Sequence, residues 1–233
     1  MTLLRSALFA LALILVTPPY AIVALLSFPL PRMARYRLIS AWSRLVLWLA
    51  WVLCGIRWRI EGRKHLPDEP AVILSQHQSA WETLAFQEIF PPQVQVVKRE
   101  LLWIPFFGWG LALMSPIAIN RARGMAALRE LARRGSERLA QGFWVVIFPE
   151  GTRVPVGQKR AYQQGGAWLA AQCGVPVVPV AHNAGRLWPR NAFLKRPGTV
   201  TVRIGPPIGT AGRQPKDVIA QVKSWIEAQQ ETL

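Results

Sequence analysis

The residues best suited to chemistry lie in the segment Ser75-Gln76-His77-Gln78-Ser79-Ala80-Trp81-Glu82. His77 is one of three histidines in a chain of 233 residues, and Glu82 follows it by five positions. A carboxylate that accepts a proton from one imidazole nitrogen fixes the tautomer and leaves the other nitrogen as a base. The pair predicts general-base chemistry, and a purely structural histidine is the alternative that the pattern leaves open.

Other kinds of reactive site find no support in the sequence. Zinc proteases place two histidines four apart on one helix, whereas the nearest pair here, His65 and His77, is 12 residues apart. The chain has no G-x-S-x-G nucleophile motif, no phosphate-loop lysine motif and no aspartate-rich magnesium loop. We therefore expect no metal and no cofactor, and a proton taken by His77 has to come from a substrate hydroxyl.

Basic side chains follow predicted strands in the same way as His77 does. Lys98, Arg121 and Arg153 each stand directly after or a few residues beyond an apolar, β-branched run. Because the carboxyl ends of parallel strands meet at one edge of a sheet, we expect these side chains to lie near His77. Arginine and lysine bind phosphate, so the sequence predicts a phosphate site there, with ordinary loop charges as the alternative.

The elements that must position these residues form an alternating pattern after residue 70. Short β-branched runs bounded by Gly, Pro or Asn are typical of strands, and amphipathic segments separate them. The alternation predicts an α/β domain with a mixed, mostly parallel sheet flanked by helices. The predicted strands are Ala71–Leu74, Val94–Val97, Ile117–Ile119, Trp144–Phe148, Val177–Val180 and Thr199–Ile204. The predicted helices are Trp81–Phe90, Gly124–Gln141, Tyr162–Gln172 and Pro215–Gln230.

The first 60 residues differ in composition from the rest of the chain. They carry seven arginines and no acid, whereas residues 61–233 carry 21 basic and 12 acidic residues. A net charge of +16 on a chain that is 52% apolar favours an anionic membrane surface over a nucleic acid. We expect residues 1–60 to form membrane-associated helical segments and residues 61–233 to form the α/β domain.

Two apolar segments, Ser6–Pro31 and Ile39–Ile56, lie in this first region. Pro18-Pro19 predicts a break in the first segment, because proline removes a helix hydrogen bond. Before that break a helix would be about 18 Å long, short of a bilayer core of about 30 Å. Arginines on both sides favour a hairpin that enters and returns on the cytoplasmic side, with one or two true spans as the alternative.

Four sequence blocks, in this order and at these spacings, resemble those of the glycerolipid acyltransferases. They are His77-x4-Glu82, Asn120-Arg121, Phe148-Pro149-Glu150-Gly151-Thr152-Arg153 and Val175-Pro176-Val177-Val178-Pro179-Val180. The resemblance covers the chain from Glu61 to Ile208 and is strongest to bacterial enzymes that acylate 1-acyl-sn-glycerol 3-phosphate. A membrane-binding N-terminus of two segments is also typical of that family.

The resemblance implies transfer of an acyl chain from a CoA or acyl carrier protein thioester to the 2-hydroxyl of lysophosphatidic acid, giving phosphatidic acid. It implies the glycerolipid acyltransferase fold, anionic membrane lipids as partners, and a bacterial inner membrane location with the domain facing the cytoplasm. By the same resemblance His77 is the general base and Glu82 orients it. The implied substrate-binding residues are Lys98, Arg121 and Arg153 for the acceptor phosphate, and Glu150, Gly151 and Thr152 for the acceptor pocket.

The chain departs from the family pattern in ways that leave alternatives open. Glu82 stands where the family usually has aspartate, and Asn120 where it often has aspartate. The acceptor could instead be glycerol 3-phosphate, a lysophospholipid or a lyso-ornithine lipid. A non-catalytic protein that binds anionic membranes is the remote alternative. The segment Trp103–Trp109 could line a chain tunnel, anchor at the interface or pack internally.

Overall fold

A seven-stranded sheet forms the centre of the computed structural model, which describes residues 1–90, 92–105 and 107–233, with the backbone alone at Phe107 and Arg121. The strands are β1 Ile56–Glu61, β2 Val72–Ser75, β3 Gln93–Lys98, β4 Ile117–Ile119, β5 Trp144–Ile147, β6 Val177–His182 and β7 Gly198–Ile204. Their order across the sheet is β1-β7-β6-β2-β5-β3-β4. Only β6 and β7 pair antiparallel within this sheet, so the predicted mixed, mostly parallel sheet is confirmed.

Helices cover both faces of the sheet. They are α1 Thr2–Leu26, α2 Arg32–Cys54, α3 Trp81–Ile89, α4 Phe107–Leu113, α5 Met125–Ala140, α6 Gly165–Cys173, α7 Ala184–Leu187 and α8 Pro215–Gln230. Successive residues of a strand point to opposite faces. Ile73 of β2 accordingly joins a core with α2 and α3, and its neighbours Val72 and Leu74 join a core with α5, α6 and α8.

The strand directions bring several strand ends to one edge. Strands β2 to β6 run parallel to one another, with Leu74 opposite Ile147 and Lys98 opposite Ile119. Their carboxyl ends therefore share one edge of the sheet, here called the carboxyl edge. Strand β7 is antiparallel to β6, so β7 and its parallel partner β1 begin at this same edge.

Helix α1 continues through Pro18 and Pro19, so the break predicted there is wrong. A proline removes its own N–H from the helix ladder, and tertiary contacts hold the rest of α1. The hydroxyl of Tyr20, for example, donates to the carbonyl of Leu38 in α2. With 25 residues the helix is about 37 Å long, and both α1 and α2 are long and apolar enough to cross a bilayer.

Near its start, α1 is packed against the rest of the protein. The ring of Phe9 is 1% exposed and lies edge-on to Trp188, with 5.3 Å between the ring centroids. The Ser6 hydroxyl accepts the backbone N–H of Lys195 at 2.9 Å. Near the other end, Ala24 is buried as well, so α1 lies along the domain over most of its length.

Strand β1 is an element that the sequence analysis did not include. It begins directly after Gly55, which ends α2 in the left-handed conformation at φ 70°, and it crosses the expected boundary between residues 60 and 61. Ile56, Trp58 and Ile60 alternate with exposed arginines, as is typical of a half-exposed edge strand. The sheet and the N-terminal helices are therefore joined without a linker.

Replacing Phe9 tests the docking of α1. Phe9→Ala leaves a cavity against Trp188 and should lower the free energy of unfolding by about 3 kcal/mol, measured by denaturant unfolding of the protein in detergent. Leu11→Ala is the matched control, because Leu11 lies on the same helix and is 52% exposed. That control should change the free energy by less than about 0.5 kcal/mol. Equal losses in the two variants would contradict the docking.

Candidate active site

His77 lies at the carboxyl edge, in the loop between β2 and α3. Its Nδ1 is 2.8 Å from Oε1 of Glu82, so the structure brings together the two residues paired in the sequence analysis. An ionised carboxylate only accepts hydrogen bonds, so Nδ1 carries the proton in this contact. The lone pair of the neutral ring is then on Nε2, which is the form that a general base requires.

The Glu82 carboxylate is completely buried at the start of α3. Its Oε1 also accepts the backbone N–H groups of Gln78 at 2.9 Å and of Ser79 at 2.7 Å. Burial favours the neutral acid, but the hydrogen bonds from His77 and from the Ser79 N–H outweigh it and hold the pKa below its ordinary value. Glu82 is therefore an anion, and its hydrogen bonds hold His77, Gln78 and Ser79 in the turn before α3.

The segment after β5 also contacts His77, through both its backbone and its ring. The backbone N–H of His77 donates to Oε2 of Glu150 at 2.8 Å, and its carbonyl accepts the N–H of Val154 at 2.7 Å. The imidazole stacks on Phe148, with 4.1 Å between ring centroids and 16° between the planes. Main chain and ring are thus both constrained by residues 148–154.

The buried Glu150 carboxyl has a raised pKa. Burial, together with the nearby Glu82 carboxylate, raises the pKa of its carboxyl to about 8, against the hydrogen bond from the His77 N–H. At neutral pH most of Glu150 is therefore the neutral acid. A neutral acid can accept the His77 N–H without placing a second negative charge beside Glu82.

A hydrogen-bond network of glutamine side chains and His182 supports the loop between β2 and α3. Gln76 Nε2 donates to the His182 carbonyl at 2.6 Å, and the Gln76 carbonyl lies 3.1 Å from His182 Nε2. Gln230, at the end of α8, donates to the same His182 carbonyl at 2.9 Å and accepts from Gln78 Nε2 at 3.2 Å. Burial lowers the pKa of His182, which keeps that ring neutral. No sequence pattern predicted this network.

A cavity of about 580 Å³ opens beside His77. Its polar wall contains Lys98, Gly151, Thr152, Arg153 and Arg190. Its apolar wall is formed mainly by residues of α1, α2 and α4, among them Tyr20, Ala24, Ile39, Trp42 and Leu111. The lining therefore combines basic groups that can bind a phosphate with apolar groups that can bind a hydrocarbon chain.

The residues predicted to bind substrate fall into three groups. Lys98, Gly151, Thr152 and Arg153 line the cavity together with His77. Glu150 stands behind His77 and bonds to its backbone instead. The side chain of Arg121 lies outside the described residues, and its backbone follows β4 in a short 3₁₀ turn.

Arg190 is a cavity residue that the sequence analysis missed. Its Nη1 donates to the Arg153 carbonyl at 2.8 Å, which holds the two arginine residues next to each other. Arg190 belongs to the loop between α7 and β7, so the strand-end pattern that pointed to Lys98 and Arg153 did not reach it. The apolar wall was missed as well, because it depends on how α1 and α2 pack on the sheet.

Glu150→Gln tests the raised pKa of the Glu150 carboxyl. A carboxyl whose pKa is higher in the folded than in the unfolded state costs stability as the pH rises between the two values. The variant should therefore gain stability relative to the wild type from about pH 5 to the folded pKa of about 8 and then keep a constant difference. Denaturant unfolding at each pH measures this, and the exposed Glu231→Gln is the control. A difference that stays flat between pH 5 and 8 would be evidence against the raised pKa.

Known proteins are similar to this chain in sequence and in fold. A sequence profile of the acyltransferase family matches residues 57–183. A 1-acyl-sn-glycerol-3-phosphate acyltransferase from Pseudomonas aeruginosa is 50% identical over 200 residues, which cover 85% of this chain and 77% of that protein. The mouse 1-acyl-sn-glycerol-3-phosphate acyltransferase alpha is 35% identical over 185 residues, or 78% of this chain and 65% of the mouse protein.

A solved structure is similar over nearly the whole chain. The 1-acyl-sn-glycerophosphate (LPA) acyltransferase PlsC from Thermotoga maritima superposes with a TM-score of 0.79 at 22% identity, covering 99% of this chain and 95% of that one. At this identity the likeness concerns the fold, and the sequence matches carry the assignment to a family. The chain belongs to the acyltransferase family, among its 1-acyl-sn-glycerol-3-phosphate acyltransferases.

Proposed function

We propose that this protein transfers an acyl chain from a thioester to the 2-hydroxyl of lysophosphatidic acid, which makes phosphatidic acid. The observation that carries the proposal is the His77–Glu82 pair, 2.8 Å apart, at a cavity that is basic on one wall and apolar on the other. The relatives' names state the same acceptor. The acyl donor is the thioester of CoA or of acyl carrier protein.

In the proposed mechanism, Nε2 of His77 takes the proton of the 2-hydroxyl as the oxygen attacks the thioester carbonyl carbon. The C–S bond then breaks, and the proton passes from the imidazolium to the departing sulfur. A positioned base of this kind contributes about 10²–10⁴-fold to the rate. Glu82 stabilises the imidazolium through Nδ1, and Glu150 keeps the His77 backbone in place.

The acceptor phosphate is proposed to lie against the basic wall. Lys98 and Arg153 line this wall, and the family resemblance adds Arg121. Gly151 and Thr152 shape the same wall. Arginine binds phosphate through two parallel hydrogen bonds, whereas lysine acts as a point charge.

The N-terminal helices are proposed to lie in one leaflet of the bacterial inner membrane, with the domain of residues 61–233 in the cytoplasm. Helix α1 contacts the domain from Ser6 to Ala24, as expected for a helix that lies along the membrane surface. Its outer face is a row of exposed leucines and isoleucines, including Leu4, Leu11 and Leu15. The basic residues around α1 and α2 match anionic headgroups, and the lipid acceptor reaches the cavity from within the leaflet.

Other acceptors within the same family are the second candidate. Glycerol 3-phosphate, a lysophospholipid or a lyso-ornithine lipid would each present a hydroxyl to His77. The basic wall favours an acceptor with a phosphate monoester, and the apolar wall favours one that already carries a chain. A panel of these acceptors with both donors separates them, and turnover itself excludes a non-catalytic membrane-binding protein.

His77→Ala removes the proposed base and should lower kcat by at least about 10²-fold. Initial rates of transfer from acyl-CoA and from acyl carrier protein to lysophosphatidic acid measure this, with thermal unfolding as a check on the fold. His65→Ala is the matched control, since His65 lies in a short 3₁₀ turn bonded to the Ile204 carbonyl, away from the cavity. A His77→Ala enzyme that keeps most of its activity would sink the mechanism.

Arg153→Gln tests the phosphate site. The KM for lysophosphatidic acid should rise by about tenfold or more, because a hydrogen bond to a charged group contributes about 1.5–3 kcal/mol. The KM for the thioester should change much less. Arg99→Gln, at an exposed arginine next to Lys98 that does not line the cavity, controls for the lost charge. An equal rise in both KM values would count against a phosphate role for Arg153.

A further inference from the structure

A second cavity, of about 570 Å³, lies at the β1 and β7 end of the carboxyl edge. It is an open cavity lined by the first turns of α1, the last turn of α2, and the starts of β1 and β7. It shares no lining residue with the cavity at His77 within the described chain. Its lining residues are Arg5, Trp51, Val52, Gly55, Arg57, Pro197, Gly198 and Thr199.

Two arginines give this cavity an uncompensated positive charge. Arg5 and Arg57 are exposed, and neither forms an ion pair with any residue that the structure describes. The two stretches of chain that build its walls, residues 1–60 and 151–216, contain no Asp or Glu. The guanidinium groups therefore have no acidic neighbour in these stretches, and an anion is the ligand that they would bind.

Arg5 and Arg57 both line the cavity, on either side of Gly55 in the chain. A Cβ placed on Gly55 would lie 3.6 Å from Nη1 of Arg5 and 3.2 Å from Cβ of Pro197. The Arg5 guanidinium thus lies against the turn between α2 and β1, two residues before Arg57. A cavity of this size is within the range of small-molecule sites, about 300–1,000 Å³.

Apolar side chains are exposed on the segments that line this cavity. Trp51 is 46% exposed and Val52 is 54% exposed, and Trp48 is exposed one turn earlier on α2. Phe193 and Leu194 are exposed in the loop that leads to Pro197. Exposed tryptophan and aliphatic side chains next to arginines are typical of a surface that meets the headgroup region of a bilayer.

We propose that this cavity binds the phosphate of an anionic phospholipid, with the lipid chains running along Trp51 and Val52. The occupant is a lipid and not a soluble phosphate because the walls combine two guanidinium groups with exposed apolar side chains. The site is separate from the acyl-transfer chemistry at His77. A lipid held there would fix one end of α1, and with it the carboxyl edge, at the level of the headgroups.

Native mass spectrometry of the full chain in detergent with added phosphatidylglycerol tests the proposal. The wild type should retain one phosphatidylglycerol molecule and release phosphatidylcholine. Arg5→Gln and Arg57→Gln should each weaken retention by at least about tenfold, the loss expected for one charge-assisted hydrogen bond. Arg37→Gln is the matched control, because it removes the same charge from an exposed position of α2 outside the cavity and should retain the lipid.

Each other outcome overturns the assignment. Equal retention by all three variants, or an equal loss in Arg37→Gln, would exclude a built site. Displacement of the lipid by CoA or by inorganic phosphate at the same concentration would assign the cavity to a soluble phosphate compound. Acyl transfer in detergent should stay at the wild-type rate in Arg5→Gln and Arg57→Gln, so the result is independent of the His77 mechanism. Near-UV circular dichroism verifies the fold of each variant.

Discussion

The buried Glu82 carboxylate is the constraint on which the site depends. An ionised carboxylate that is removed from water is costly unless hydrogen bonds surround it. The loop after β2 meets this demand by turning two backbone N–H groups and the His77 ring onto one oxygen, at the positive end of α3. These three hydrogen bonds all depend on the course of the loop, so the position of the imidazole is tied to the burial of its partner.

Residues far apart in the sequence hold the loop that carries His77. Residues 148–154 hold the backbone and ring of His77, and β6 and the end of α8 hold the glutamines on either side of it. Gln230 lies 152 residues from Gln78, yet it bonds both to Gln78 and to the carbonyl of His182. The loop that carries the reactive ring is therefore held by several separate elements, and its geometry depends on completion of the whole sheet and of the last helix.

The features predicted correctly from the sequence are those that depend on local interactions along the chain. The β-branched runs became strands, and their parallel order placed Lys98 and Arg153 near His77, because strand direction determines the edge at which a residue lies. Three features depend on packing between distant segments and therefore could not be predicted from any short stretch of sequence. They are the continuous helix through Pro18 and Pro19, the hydrogen bond from the His77 N–H to Glu150, and the contacts of Gln230. The apolar wall of the cavity likewise depends on the docking of α1 and α2, which no composition or periodicity specifies.

The pairing of β1 with β7 has a consequence for how the chain is made. Arg59 of β1 donates to Thr201 of β7 across 142 residues, so β1, the first strand of the described sheet, acquires its neighbour only when β7, the last strand, has been made. Closing so long a loop carries an entropic cost and slows folding. During this interval α2 is not yet joined to the sheet through β1. A bilayer can shield the exposed apolar face of α1 at that stage.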